Sequence, residues 1–167
     1  MAGALMVTAE LGAPDFAWLD ALRRSHYPAD VNRVPAHLTM FHALPPSAEA
    51  EARTRLAEAA RGTAPRATVE GLMDLGGGVA FRVVSADLDR IREDLARDLH
   101  GLLGAQDAGG WRPHVTIQNK VAPKVARALI AKLEQDFQPR WLRIAGLGLH
   151  RYLGGPRETI GIWAFRG

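Results

Sequence analysis

An α/β fold made of one strand–helix–strand–helix–strand unit present twice is what the sequence predicts. Three observations predict it. Apolar residues switch along the chain between strand-like alternation and helical spacing. Glycine and proline clusters fall between the periodic stretches. Two short motifs recur in the same order at nearly the same offset, which is the mark of an internal repeat. At 167 residues the chain is long enough to bury a core without a disulfide or metal staple. A single domain, 1–167, is expected, with lobes of about 1–77 and 78–167 set by the repeat.

The first copy begins with a strand over 4–11 (ALMVTAEL). Pro14 then opens a helix over 14–27 with Phe16, Leu19 and Leu22 on one face. A polar, proline-bearing loop leads to a strand at about 36–42 (AHLTMFH), ended by Pro45-Pro46. Ser47 is placed to cap an alanine-rich helix over 47–61. Strands over 66–75 and 79–85 flank Gly76-Gly77-Gly78, a hairpin turn.

The second copy starts on that last strand. Ser85 is placed to cap a helix over 86–103, whose Leu88, Ile91, Leu95, Leu99 and Leu102 make a continuous stripe. A glycine-rich loop over 104–110 precedes a strand at about 113–119 (PHVTIQN). Pro123 starts a helix to 137, and strands over 140–152 and 158–165 close the chain around Gly154-Gly155-Pro156.

Composition removes several function classes. There is no cysteine, so thiol nucleophiles, disulfide scaffolds and thiolate metal sites are excluded, and a reducing cytoplasm is the expected location. No apolar run approaches the roughly 20 residues of a membrane span, so no membrane partner is expected. The net charge of +3 suits a phosphate-bearing partner, but 18 of the 21 basic residues are arginine, and such a bias needs no ligand to explain it. The glycine clusters are not phosphate loops: GGGVAF runs into a strand, and neither G-x-x-x-x-G-K-[ST] nor G-x-G-x-x-G occurs.

The repeat itself carries the chemistry. His37-Leu38-Thr39-Met40 and His114-Val115-Thr116-Ile117 lie 77 residues apart, and Val69-Glu70-Gly71-Leu72 and Ile144-Ala145-Gly146-Leu147 lie 75 apart. On a strand, residues i and i+2 share a face, so His37 projects with Thr39, and His114 with Thr116. A pseudo-twofold relation between the copies would present two imidazoles and two hydroxyls to one central cleft. A neutral histidine can take a proton from an attacking water or hydroxyl while a protonated one gives a proton to the leaving oxygen. The hydroxyls of Thr39 and Thr116 can donate to non-bridging phosphate oxygens. No metal site or cofactor is needed for this chemistry, and no carboxylates cluster near either motif.

With prolines just upstream (Pro35 and Pro113), the pair HLTM and HVTI resembles the 2H phosphoesterase superfamily, defined by two H-x-[ST]-hydrophobic motifs, and within it the bacterial 2′-5′ RNA ligase family. The resemblance implies a bilobal α/β (α+β) fold with two antiparallel-rich sheets around a cleft. It implies metal-independent cleavage of phosphodiesters, with His37 and His114 as the acid/base pair and Thr39 and Thr116 as phosphate ligands. Substrates in such a family include 2′,5′ linkages and 2′,3′-cyclic phosphates, so RNA ends or a small cyclic nucleotide are the implied partners of a monomer. Which histidine is acid and which base is open at this level. So is the alternative of an RNA- or nucleotide-binding module with the same cleft and little turnover.

Further candidates follow from alternation. Gln118 and Lys120 continue the side of His114 and Thr116, so Lys120 can reach a phosphate unless it lies beyond the strand end. Phe41 shares a face with His37 and Thr39 and could stack a base, but a core or cleft-wall aromatic is the commoner role for such a residue. Arg151 and Tyr152 end a strand, where contact with a leaving group or nucleobase is possible. His42 falls on the face opposite His37, which argues against a catalytic role and against a His37–His42 metal pair.

Overall fold

A computed structural model describes residues 3–167. Its elements follow the predicted order: β1 (Leu5–Leu11), α1 (Ala13–His26), β2 (Leu38–Leu44), α2 (Glu49–Ala59), β3 (Arg66–Asp74), β4 (Val79–Val84), α3 (Ala86–Asp98), α4 (Ala105–Ala108), β5 (His114–Gln118), α5 (Pro123–Glu134), β6 (Arg140–Tyr152) and β7 (Arg157–Ala164). No helix among the described residues is long and apolar enough to cross a membrane.

Local chemistry accounts for most boundaries. Ser85 caps α3 as expected, its Oγ accepting from the Leu88 N–H at 2.9 Å while donating to the Arg66 carbonyl. Ser47 does not cap α2. Proline at 46 fixes a 3-10 turn over Pro46–Ala48, the helix proper starts at Glu49, and its N-cap position falls to Ala48, which has no side-chain acceptor. The α3 helix stops at Asp98 instead of 103, because Gly101 adopts a φ of 90° and takes the chain out of the helix. Within the expected glycine-rich loop lies α4, a single turn.

The strands form an antiparallel sheet in the order β2-β1-β6-β3-β4-β5, with β7 also paired to β6. The order reads identically from either end when β1, β2 and β3 are exchanged for β4, β5 and β6. The first two strands of each predicted unit thus lie together, β1 with β2 and β4 with β5, while β3 pairs with β4 and β6 with β1. The 13-residue β6 makes this possible. Its start, Arg140–Arg143, pairs with β3, and the remainder pairs with β1 on one edge and β7 on the other. Two antiparallel neighbourhoods thus share one long strand.

Helices cover one face. Leu19 of α1, Ala52 and Leu56 of α2, Leu88 and Leu95 of α3, and Leu129 of α5 are buried against Leu5, Val7, Leu38, Val69, Phe81, Val115 and Leu147. Fully burying a leucine contributes about 1.5–3 kcal/mol, so this layer dominates stability. The opposite face of β1, β2 and β6 carries the polar residues.

Candidate active site

The two motif strands share one local design. Thr39 pairs with Thr8 and the next paired residue is Phe41, opposite Val7; Thr116 pairs with Ala80 and the next is Gln118, opposite Val79. Each strand therefore carries one extra residue directly after its threonine, a β-bulge. In both, the pair of residues at the bulge turns into the core: Met40 and Phe41 are fully buried, and so are Ile117 and, at 3% exposure, Gln118. His37, Thr39, His114 and Thr116 remain half-buried.

The imidazoles are held identically. His37 Nδ1 lies 2.8 Å from the Pro35 carbonyl oxygen, and His114 Nδ1 lies 2.8 Å from that of Arg112. A carbonyl only accepts, so Nδ1 carries the proton in both rings, and each neutral imidazole presents an Nε2 lone pair for chemistry. The strands β2 and β5 approach each other, and Trp111 Nε1 donates to the Thr39 carbonyl at 3.0 Å, tying the run into β5 to β2. On the far side, Arg23 of α1 donates to the Thr116 carbonyl (3.0 Å) and to Asn32 Oδ1 (2.8 Å). A recess of about 290 Å³ brings Thr39, His42, Trp111, Arg112 and His114 together.

Beneath His37 lies a buried polar network. Thr8 Oγ1 donates its one proton to Glu10 Oε2 at 2.5 Å, so the 2.9 Å contact with His150 Nε2 is a donation from the imidazole. His150 Nδ1 in turn lies 3.0 Å from Thr159 Oγ1. A Cβ on Gly148 would sit 2.7–2.8 Å from Glu10 Oε2, Thr8 Oγ1 and His150 Nε2, so the network exists because residue 148 has no side chain. Burial raises the Glu10 carboxyl, but hydrogen bonds from His150 and Thr8 and the charges of His150 and Arg157 outweigh it and hold the group below its ordinary value. His37 is pushed down from 6.5 to about 4, chiefly by burial; the Pro35 hydrogen bond opposes this, while Arg157, Arg23 and His150 add to it.

The bulges correct several expectations drawn from strict alternation. Phe41 does not share the face of His37: it is in the core, with the Arg92 guanidinium 4.3 Å from its ring centroid, and no base can reach it. Gln118 likewise leaves the face of Thr116 for the core side opposite Val79. Lys120 lies past the end of β5, exposed, at a φ of 62°. Arg151 points away from the His150 face and is ion-paired with Glu49 of α2 and with Glu158. Tyr152, on the His150 face, lines an apolar recess of about 660 Å³ with Met6 and His42.

His42 moves the other way. Because of the bulge it joins the recess of Thr39 and His114 instead of opposing it. Its Nδ1 lies 3.1 Å from Asp107 Oδ1, and the buried Asp107 carboxylate also accepts the backbone N–H groups of His42 (2.7 Å) and Ala43 (3.0 Å). Arg92 fastens α4 to β2 from behind, donating to the carbonyls of Met40 and Asp107. Sequence reasoning passed over Glu10, Asp107 and Arg157. The polar positions at Thr8 and Glu10 in an otherwise apolar strand were the one signal for the first of these. Among the described residues no three His, Asp or Glu side chains converge as metal ligands would.

The sheet order and the two matched His-x-Thr strands, which approach each other beside a recess holding Thr39 and His114, are those expected of the two-histidine phosphoesterases. The 2′-5′ RNA ligase superfamily matches residues 12–156, and the chain belongs to that family. No curated protein matches it in sequence. Among solved structures, the protein TT0787 of Thermus thermophilus superposes with a TM-score of 0.68 at 19% identity, over 98% of each chain. A phosphoesterase superposes at 0.66 and 16% identity over the whole of both chains. Escherichia coli LigT complexed with 3′-AMP superposes at 0.60 and 16% identity, again over both whole chains. At these identities the likeness is one of fold.

Proposed function

We propose that the protein is a metal-independent phosphodiesterase acting on 2′-linked or 2′,3′-cyclic ribose phosphodiesters by two-histidine acid–base catalysis. The observation that carries this reading is the matched pair of imidazoles. Both are locked by an Nδ1–H donated two residues back, with Nε2 left free, on strands that approach each other. Two rings so alike in anchoring and so differently surrounded suit the two halves of one proton-transfer cycle.

In the hydrolytic direction, His37 Nε2 accepts a proton from water as its oxygen attacks phosphorus. His114 Nε2–H gives a proton to the ribose oxygen as the P–O bond breaks. The hydroxyls of Thr39 and Thr116 donate to the non-bridging oxygens, where negative charge builds. The depressed proton affinity of His37 keeps it neutral near pH 7, as an acceptor must be at the start. In ligation the roles exchange. A small nucleotide or an RNA end fits the cleft's proposed chemistry, in keeping with the 3′-AMP bound to LigT. The lack of cysteine suits a cytoplasmic enzyme.

The test is hydrolysis of 2′,3′-cyclic AMP by the purified chain in EDTA, alongside His37→Ala and His114→Ala. Product from the parent and loss in both variants, each still folded by circular dichroism, is the expected result. Turnover that survives both substitutions, a requirement for a divalent ion, or saturable binding of the nucleotide without product would overturn it.

A further inference from the structure

Residues directly opposite one another on paired strands share a face, so Thr39 and Thr8 do, and with them His37 and Glu10. His150 and Thr159 are opposite partners on the same side, bonded through their side chains. The pairing of β6 with β7 is regular from there to Tyr152 and Arg157, which puts Arg157 two residues from Thr159 on the face that carries His37. Its charge bears on both His37 and Glu10.

Among the described residues Arg157 has no hydrogen-bond or ion-pair partner there. Its Nη1 is sealed from solvent and makes no hydrogen bond, and among the described residues no carboxylate lies within 4 Å of its guanidinium. Glu10, the nearby acid, is already engaged by Thr8 and His150. Buried guanidinium nitrogens are ordinarily satisfied, and leaving one unpaired costs about 1–3 kcal/mol or more. By contrast Arg23 and Arg92, the buried arginines of this fold, each donate to a backbone carbonyl. A cost of that kind is recovered when an anion enters, and a phosphate oxygen matches the guanidinium in charge and geometry.

We propose that Arg157 is an oxyanion ligand of the cleft, taking a non-bridging phosphate oxygen beside His37, in addition to the two threonines. This rests on the phosphodiesterase reading above for its substrate, but not for its binding test. The network of Glu10, Thr8, His150 and Thr159 sets the floor on which the side chain lies, and Gly148 keeps that floor open.

The experiment is titration of the full chain with inorganic phosphate, followed by calorimetry and by the imidazole resonances of His37. Parent, Arg157→Met, Arg157→Gln and Arg127→Met are compared; Arg127 is exposed on α5 and controls for the loss of one positive charge. The expected result is saturable binding to the parent, weakened about tenfold or more in both Arg157 variants and unchanged in Arg127→Met. Thermal midpoints of the Arg157 variants should equal or exceed the parent's, since an unpaired buried charge is removed. Equal phosphate affinity in parent and Arg157 variants overturns the proposal, as does a parent without saturable binding. A fall in thermal midpoint with unchanged affinity assigns Arg157 a structural role and overturns it too. Arg157-dependent phosphate binding in a protein that cleaves no phosphodiester would uphold this site while removing the proposed function.

Discussion

On the β2 side, His37 stands over a face that carries Glu10, His150 and Arg157, with Arg23 reaching in from α1. On the β5 side, His114 opens into a recess walled by Trp111 and Arg112. Inside the motif the two regions are copies: the same bulge after the threonine, the same 2.8 Å anchor on Nδ1, the same pair of residues turned into the core. Outside it they diverge: burial, with Arg157, Arg23 and His150 nearby, drives His37 well below its ordinary proton affinity. The two motif strands thus hold their imidazoles alike, and the surroundings, β7 above all, differ. A low proton affinity at His37 suits the proposed acceptor, since it keeps that ring neutral at the start of the cycle.

The comparison breaks most completely if either imidazole is removed. His37→Ala and His114→Ala should each lower the rate of 2′,3′-cyclic AMP hydrolysis by roughly 10²–10⁴-fold. The double variant should fall little further than the worse single one, because the two act as a unit. Additive losses in single-turnover rates would mean that the rings work separately.

Next in size are two glycines, one under each region. A methyl group at Gly78 would collide with the Gln118 carbonyl and crowd the Asn119 backbone, which cannot move without unpairing the end of β5. At Gly148 it would meet the side chains of Thr8, Glu10 and His150, which can partly give way. Gly78→Ala should therefore cost about 3 kcal/mol or more and Gly148→Ala about 1–3 kcal/mol, measured by urea unfolding. A larger loss at Gly148 would show that the polar network is stiffer than backbone.

How far the sequence reveals this arrangement depends on the range of each interaction. Strand and helix order was readable because periodicity is local: the stripe of Leu88, Leu95 and Leu99 and the hairpin at Gly76–Gly78 need no knowledge of the rest of the chain. So was the placement of His37 with Thr39 and of His114 with Thr116, since these residues precede the bulges and alternation still holds there. Past the bulges it fails. Nothing in Met40-Phe41 or Ile117-Gln118 marks an extra residue, because a bulge is a property of register against β1 and β4. Phe41, Gln118 and His42 were therefore set on the wrong faces by the same one-residue slip. The Glu10–His150 contact joins strands 140 residues apart in sequence and was out of reach for the same reason.

The pH dependence of stability reports on the surroundings of His37 in solution. The native state holds His37 near 4 against an ordinary 6.5, so as pH falls through this window the unfolded chain takes up the proton first. Stability present above pH 6.5 is progressively lost towards pH 4, where this contribution levels off. Other groups titrate in the same range, so the difference between variants is what counts. His37→Gln should flatten the decline between pH 6.5 and 4 relative to the parent. An unchanged slope would mean that the surroundings do not hold this ring below its ordinary value.

The smallest effect expected is at Arg151, and its smallness tests the face assignment on which the comparison depends. Regular pairing of β6 with β1 puts His150 and Arg151 on opposite faces, one towards His37 and the other towards α2. Arg151 there forms ion pairs with Glu49 and Glu158 that are partly open to solvent, and such pairs contribute about 1 kcal/mol or less. Arg151→Met should accordingly change unfolding free energy by no more than that and leave turnover of 2′,3′-cyclic AMP unaltered. If the substitution instead raised KM severalfold at constant stability, Arg151 would be facing substrate. The register of β6 would then have to slip by one residue, and His150 would leave the network beneath His37.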